Sequence, residues 1–252
     1  MSAGSLSAGS LPDVPRMSAS PGDTVSVEIT VWSALVSDLS LAQLAKFLTP
    51  EERARDGKIR NKVSALEFIS GRSVTRQLLA SFCGVGADAL VLSSHPGGKP
   101  YVADCDVAFN LSHSAGTCAL AIGRVRNIGI DVEWMNANTR TCTDDIFDSR
   151  EAALFASLPT SKQTEAFYRA WVMKEAYLKA TGHGLAGGMK SLEVVFEDGP
   201  VAVPVAIRGD TDLAHWRFAG FDGGVGIAGA VAVDTLGRQI DFKFRRISES
   251  LL

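Results

Sequence analysis

One short run of alternating residues constrains this chain more than any other feature. In Ile128-Gly129-Ile130-Asp131-Val132-Glu133, apolar Ile128, Ile130 and Val132 alternate with the acids Asp131 and Glu133. A strand points successive side chains to opposite faces, so both carboxylates fall on one face and the aliphatic groups on the other. Further along the chain, Trp171, Glu175 and Lys179 recur at i, i+4 and i+8, which on a helix is a single stripe. If that stripe packs over the acidic strand face, three carboxylates and a lysine converge. Such a group is suited to a hard divalent cation that keeps open positions for phosphate oxygens. Each half alone has a plainer reading: an exposed strand face for Asp131 and Glu133, and for Glu175 with Lys179 a helical ion pair worth about 0.2–0.5 kcal/mol.

The chain has 252 residues, enough for one large domain or two small ones with a substantial core. Its 46% apolar and 21% charged residues are ordinary for a globular protein. A net charge of −3 carries no general attraction for nucleic acid. No apolar run approaches the roughly 20 residues of a membrane span. Cys83, Cys105, Cys118 and Cys142 form no Cys-x-x-Cys pair. They read as reduced thiols of a cytoplasmic protein, several of them buried. Residues 1–22, rich in Ser, Ala, Gly and Pro, lack the apolar stretch of a secretion signal and read as a disordered tail.

The pattern predicts a strand over 25–31, a short helix over 40–48, and a capped helical turn at Thr49-Pro50-Glu51-Glu52 continuing to Arg60. A long helix over 65–82 stops at Gly84. Short strands follow at 90–92, 107–110 and 118–122, the last two joined through a turn at Ser112-His113-Ser114-Ala115-Gly116. The acidic strand spans 127–133. A helix starting near Ser149, with Ser149 as its cap, precedes a second long helix over 164–180 that stops at Gly182. A strand over 192–196 and a hairpin of 215–219 with 226–233 complete the series. Helix, glycine stop, strand and hairpin occur twice in the same order. The expectation is therefore an α+β protein of two similar α/β halves, residues 23–124 and 125–252, with a ligand cleft between them.

Four separated blocks resemble the 4'-phosphopantetheinyl transferases of the surfactin-synthetase-activating type: Gly98-Lys99-Pro100, Phe109-Asn110-Leu111-Ser112-His113-Ser114, Gly129-Ile130-Asp131-Val132-Glu133, and Trp171 through Leu185. Their order and spacing fit as well, and the resemblance covers roughly 25–233. It implies a pseudo-dimer with coenzyme A between the halves. The implied reaction is magnesium-dependent transfer of the phosphopantetheine arm of coenzyme A to a serine of an apo acyl or peptidyl carrier protein, with 3',5'-ADP released. It further implies a monomer.

By the same resemblance Asp131, Glu133 and Glu175 are the magnesium ligands. Lys179 meets the pyrophosphate, and Glu175 also helps remove the serine proton. Lys99, Ser112 and His113 hold the nucleotide end, with His113 on the 3'-phosphate, and Pro100 packs on the adenine. Arg55 and Arg72 are candidates for the 3'-phosphate, although Glu52 stands where some relatives carry a basic residue. Glu151 resembles a glutamate that supports the pyrophosphate lysine, or else simply favours its helix N-terminus. Lys174 reads either as a solvated lysine or as a second phosphate contact, and Trp171 as core or cleft wall. Two other classes stand beside the transferase: a non-catalytic coenzyme A or carrier-binding module, and an unrelated magnesium-dependent phosphohydrolase. The three carboxylates count against the first, and the lack of a GxxxxGK[ST] loop counts against a nucleoside triphosphatase as the second.

Overall fold

The computed structural model describes residues 24–35, 37–95, 97–136, 143–182, 184, 188–197, 199, 201–209 and 212–248. The expected tail, Cys142, and His183 and Leu185 of the fourth block lie outside them. In chain order the elements are β1 (Val25–Ser33), α1 (Asp38–Leu44), α2 (Pro50–Asp56), α3 (Lys62–Cys83), β2 (Leu92–Ser94), β3 (Pro100–Val102), β4 (Ala108–Ser114) and β5 (Thr117–Gly123). Then come β6 (Asn127–Trp134), α4 (Thr143–Ile146), α5 (Ser149–Ser157), α6 (Thr160–Thr181), β7 (Leu192–Glu197), β8 (Val201–Ile207), β9 (Trp216–Gly224), β10 (Ile227–Asp234) and β11 (Ile240–Ile247).

One sheet runs β11-β1-β5-β4 and another β6-β10-β9. In each, the strand that opens the half lies beside the second strand of the later hairpin: β1 beside β5, and β6 beside β10. The repeat of element order expected from the sequence is thus present in the sheet order. The first sheet takes β1, β4 and β5 from residues 25–123, and the second takes its strands from residues 127–234. β11 comes from the far end of the chain and pairs in parallel with β1, so the last strand lies on the first sheet.

Alternation builds the core. Val27, Ile29 and Val31 of β1, Ile128, Ile130 and Val132 of β6, and Val231 and Val233 of β10 form one buried cluster between the sheets. On its far side each sheet carries a long helix. α3 packs through Ile69, Val74 and Leu79 near Trp32, Phe109, Leu120 and Ile122. α6 packs through Ala166, Ala170, Met173 and Ala176 near Ala228, Ala230 and Ala232. Burial of each Ile, Val, Leu or Phe is worth about 1.5–3 kcal/mol, so these layers rather than helix propensity hold the two long helices.

Several local expectations are corrected. α2 stops at Asp56, because Gly57 follows and Asn61 caps a new helix by accepting from Ser64 N. α5 is capped by Asp148, not Ser149: Asp148 accepts from the backbone of Arg150 and Glu151, and Glu151 answers Asp148 N in a capping box. Residues 112–114 belong to a strand, and the turn is only Ala115-Gly116, with φ of 48° and 81°. Cys83 and Cys105 are joined in a disulfide, which corrects the expectation of free thiols there. Their Cα atoms come within 6.1 Å only because α3 ends beside the loop before β4, a juxtaposition that their spacing in the sequence does not encode. Cys118 is buried and free, and desolvation pushes its thiol well up. No helix among the described residues is long and apolar enough to cross a membrane.

At Gly129 a helix lies directly against a strand. A Cβ there would lie 2.0 Å from Ala176 O and 2.4 Å from Ala180 N. The α6 backbone therefore rests directly on β6, and only glycine permits it. Gly129→Ala must lift the helix. The expected result is a loss of at least about 3 kcal/mol in a denaturant titration, at the upper end of overpacking costs. A loss below about 1 kcal/mol would show that α6 is not seated on β6 as described.

Candidate active site

The site is built where the two sheets meet edge to edge. β4 and β6 do not share a backbone ladder. Instead Asn110, Ser112 and Ser114, at i, i+2 and i+4 on β4, reach across. Asn110 Oδ1 accepts from Ile130 N at 2.9 Å, Ser112 Oγ from Val132 N at 3.3 Å, and Ser114 Oγ from Trp134 N at 3.1 Å. Side-chain oxygens thus replace strand carbonyls and leave room for the acids to be gripped as well. Ser112 Oγ donates to Asp131 Oδ1 at 2.9 Å, and Ser114 Oγ donates to Glu133 Oε2 at 2.9 Å.

Because Gly129 brings α6 onto β6, the next residues on that strand face, Asp131 and Glu133, run alongside the helix. Lys179 Nζ reaches Asp131 Oδ1 at 2.6 Å and Ser112 Oγ at 3.0 Å. Asp131, Lys179 and Ser112 are therefore in direct contact. Glu175, one turn before Lys179, is coupled electrostatically to Asp131 and Glu133. Desolvation raises the pKa of all three carboxyls above the ordinary value, and mutual repulsion raises those of Glu133 and Glu175 further. Lys179 and the Ser112 hydroxyl pull Asp131 back down in part.

These groups fit a hard cation in donor chemistry. Asp131 Oδ2 is buried with no hydrogen-bond partner, and an unpaired buried carboxylate oxygen is costly unless something positive meets it. They do not form a finished cage: among the described residues no three acid, histidine or cysteine side chains stand close enough together to hold a metal ion.

The remaining sequence candidates lie around this centre. His113 is half exposed on β4, and its Nδ1 lies 3.1 Å from Glu67 Oε2 of α3. Lys99 is held by backbone carbonyls. Its Nζ donates to Ile128 O at 3.1 Å and to Ala180 O at 2.7 Å. It thereby ties the loop before β3 to the acidic strand and to the last turn of α6, where a cation is favoured. Pro100 opens β3 opposite Ser94. Arg55 and Arg72 both lie over the Phe68 ring, at 5.4 and 6.0 Å, and Arg72 Nε is 3.9 Å from Glu52. Glu52 is itself occupied, closing the α2 capping box and pairing with Arg76.

Lys174 is not solvated. It is fully buried, donating to Glu151 Oε1 at 2.5 Å and to Leu192 O at 2.6 Å. Desolvation lowers its pKa, and Glu151 opposes that. Glu151 also accepts from Val194 N. The glutamate at the start of α5 therefore supports Lys174, not Lys179, and staples α5, α6 and β7 together. Sequence reading missed Glu67 and the bridging role of Asn110, Ser112 and Ser114. The only signal for the latter was polar residues at a period of two, which is a strand signature. Two surface cavities, one lined by Val31, Trp134, Ile227 and Arg246 and one by Phe47, Thr49, Pro50 and Arg76, are not lined by any of the three carboxylates.

Residues 127–233 match the model of the 4'-phosphopantetheinyl transferase superfamily. The chain is 33% identical over 172 residues to the 4'-phosphopantetheinyl transferase HetI of Nostoc sp., covering 66% of this chain and 68% of that one. It is 28% identical over 159 residues to the 4'-phosphopantetheinyl transferase Sfp of Bacillus subtilis, covering 62% of this chain and 70% of that one. It is 28% identical over 161 residues to the 4'-phosphopantetheinyl transferase psf-1 of Bacillus pumilus, covering 63% and 69% respectively.

Burial lowers the Lys99 pKa to about 8. An unfolded lysine ionises near pH 10.4. Below pH 8 both states hold the proton and the desolvation cost is fully present. Between about pH 8 and 10 the unfolded chain holds a proton that the folded one has lost, so this group's contribution to stability rises with pH. The difference in unfolding free energy between wild type and Lys99→Met should therefore grow across that window. A difference independent of pH would show that Lys99 stays protonated throughout.

Proposed function

Because this chain belongs to the 4'-phosphopantetheinyl transferase superfamily, we propose that it transfers the phosphopantetheine arm of coenzyme A to a serine of apo acyl or peptidyl carrier proteins. The observation that carries this is the meeting of Asp131, with its unpartnered Oδ2, Lys179 and Ser112 at the seam between the sheets, with Glu133 and Glu175 alongside. The two sheet-and-helix halves then act as a pseudo-dimer, and coenzyme A lies in the groove between α3 and α6.

In the reaction the serine Oγ attacks the β-phosphorus of coenzyme A. The bond from that phosphorus to the bridging oxygen breaks, adenosine 3',5'-bisphosphate leaves, and the serine proton is lost. Asp131, Glu133 and Glu175 would hold magnesium, which when bound supplies charge neutralisation at the pyrophosphate. Lys179 shares its ammonium between Asp131 and the pyrophosphate oxygens, and stabilises the charge that grows on the leaving phosphate. The raised pKa of Glu175 suits it to accept the serine proton. His113 donates to the 3'-phosphate, and Arg55 and Arg72 lend positive charge on the same wall of the groove. Lys99 holds the nucleotide-side loop, with Pro100, against the C-terminal half.

Intact-protein mass spectrometry of an apo carrier protein with this enzyme, coenzyme A and magnesium tests the reaction. A gain of one phosphopantetheine mass is expected, lost with a chelator. It should fall by at least about 100-fold in Asp131→Ala or Glu175→Ala, with the fold retained by circular dichroism. Near-normal turnover in either variant would refute the ligand assignment. No mass gain on any carrier class, together with measurable coenzyme A binding, would favour a binding module. His113→Ala should raise KM for coenzyme A but not for 3'-dephospho-coenzyme A, and equal losses for both donors would remove His113 from the 3'-phosphate.

A further inference from the structure

Where α3 packs against β4 lies a buried acid that the chemistry above does not use. Glu67 of α3 is 6% exposed. A carboxylate so buried costs several kcal/mol unless its oxygens are met. Both are. Oε1 accepts from Gly116 N at 2.7 Å, and Oε2 lies 3.1 Å from His113 Nδ1. Among the described residues no lysine or arginine nitrogen comes within ion-pair distance of it, so its partners are one backbone amide and one imidazole.

We propose that Glu67 is the positioning residue for His113, turning its ring so that Nε2 faces the groove and meets the 3'-phosphate of coenzyme A. Glu67's assignment rests on the role given to His113 above and extends it. A carboxylate only accepts, so the proton between the two groups sits on Nδ1. Nε2 is then the free edge, on a side chain that is half exposed. A carboxylate behind an imidazole fixes the orientation of the ring, as it does for metal-bound histidines. In a protonated imidazole both nitrogens donate, Nδ1 to Glu67 and Nε2 to a phosphate oxygen. The other carboxylate oxygen holds Gly116, whose φ is 81°, in the tight turn directly after Ser114. One side chain therefore secures the ring and the end of the strand that carries it.

The test compares Glu67→Ala, Glu67→Gln, His113→Ala and the Glu67→Ala/His113→Ala double variant, with coenzyme A and with 3'-dephospho-coenzyme A as donors. Expected is a rise of about tenfold in KM for coenzyme A in Glu67→Ala. The kcat and the KM for the dephospho donor should stay within about twofold, near the limit of resolvable differences between mutants. Glu67→Gln keeps an acceptor for Nδ1–H and should recover part of the loss. The double variant should be no worse than His113→Ala, since two residues acting as one unit are not additive. A loss equal for both donors, or one that adds to that of His113→Ala, would overturn the proposal in favour of a purely structural acid. Should Glu67→Ala fail to fold, Glu67→Gln decides alone: a selective loss with coenzyme A supports the proposal, and an equal loss or none overturns it. If His113→Ala itself shows no preference between donors, the role of His113 falls and the proposal with it. A selective His113→Ala beside an unselective Glu67→Ala overturns the Glu67 assignment only.

Discussion

The structure depends on a seam made of side chains. Two sheets meet at β4 and β6, and the strand N–H groups of Ile130, Val132 and Trp134 are met by Asn110, Ser112 and Ser114 instead of by backbone carbonyls. Buried donors must be satisfied, so this substitution is what allows two separate sheets to close on each other. It also has a chemical product. A hydroxyl that accepts from a backbone amide still has a proton to give, and Ser112 and Ser114 give theirs to Asp131 and Glu133. The contact that joins the halves is the same one that orients the acids.

A second constraint lies beside it. The missing side chain at Gly129 lets the α6 backbone settle on β6. From that contact the spacing of Asp131 and Glu133 on the strand falls into step with Glu175 and Lys179 on the helix, and Lys179 reaches Asp131. The carboxyls are poorly solvated, and their pKa values are raised as a result. The centre holds unneutralised negative charge on one side of the seam, and on the other a half-exposed histidine backed by Glu67. A polyanionic ligand together with a cation would match both sides.

Much of this was legible beforehand. The strand–helix pairing of acids followed from periods of 2 and 4 in Ile128–Glu133 and Trp171–Lys179, and the repeated order of helix, stop, strand and hairpin foretold the matching sheet orders β1-β5-β4 and β6-β10-β9. The failures share one cause, polar residues whose partners are distant in sequence. Ser112-His113-Ser114 read as a turn because serines favour turns when no other acceptor or donor is near. Here the donors lie on β6. Lys174 read as exposed or phosphate-bound because buried lysines are rare, and its partner Glu151 comes from another helix. The carbonyls of Ile128 and Ala180 that hold the Lys99 ammonium are likewise far from it in sequence. Cys83 and Cys105 carried no pairing signal, because their approach depends on where α3 ends.

What the sequence determined by itself is the local pattern: which residues form strands and helices, which faces they bury, and that acids and a lysine share a surface. These follow from periodicity, a property of neighbours along the chain. What only the tertiary structure decided is pairing. Lys174 takes Glu151, β11 closes on β1, and Glu67 stands behind His113. The physical reason is that a charge or hydrogen-bonding group takes whichever partner packing brings within about 3 Å, and that partner is chosen by the whole fold, not by distance along the chain.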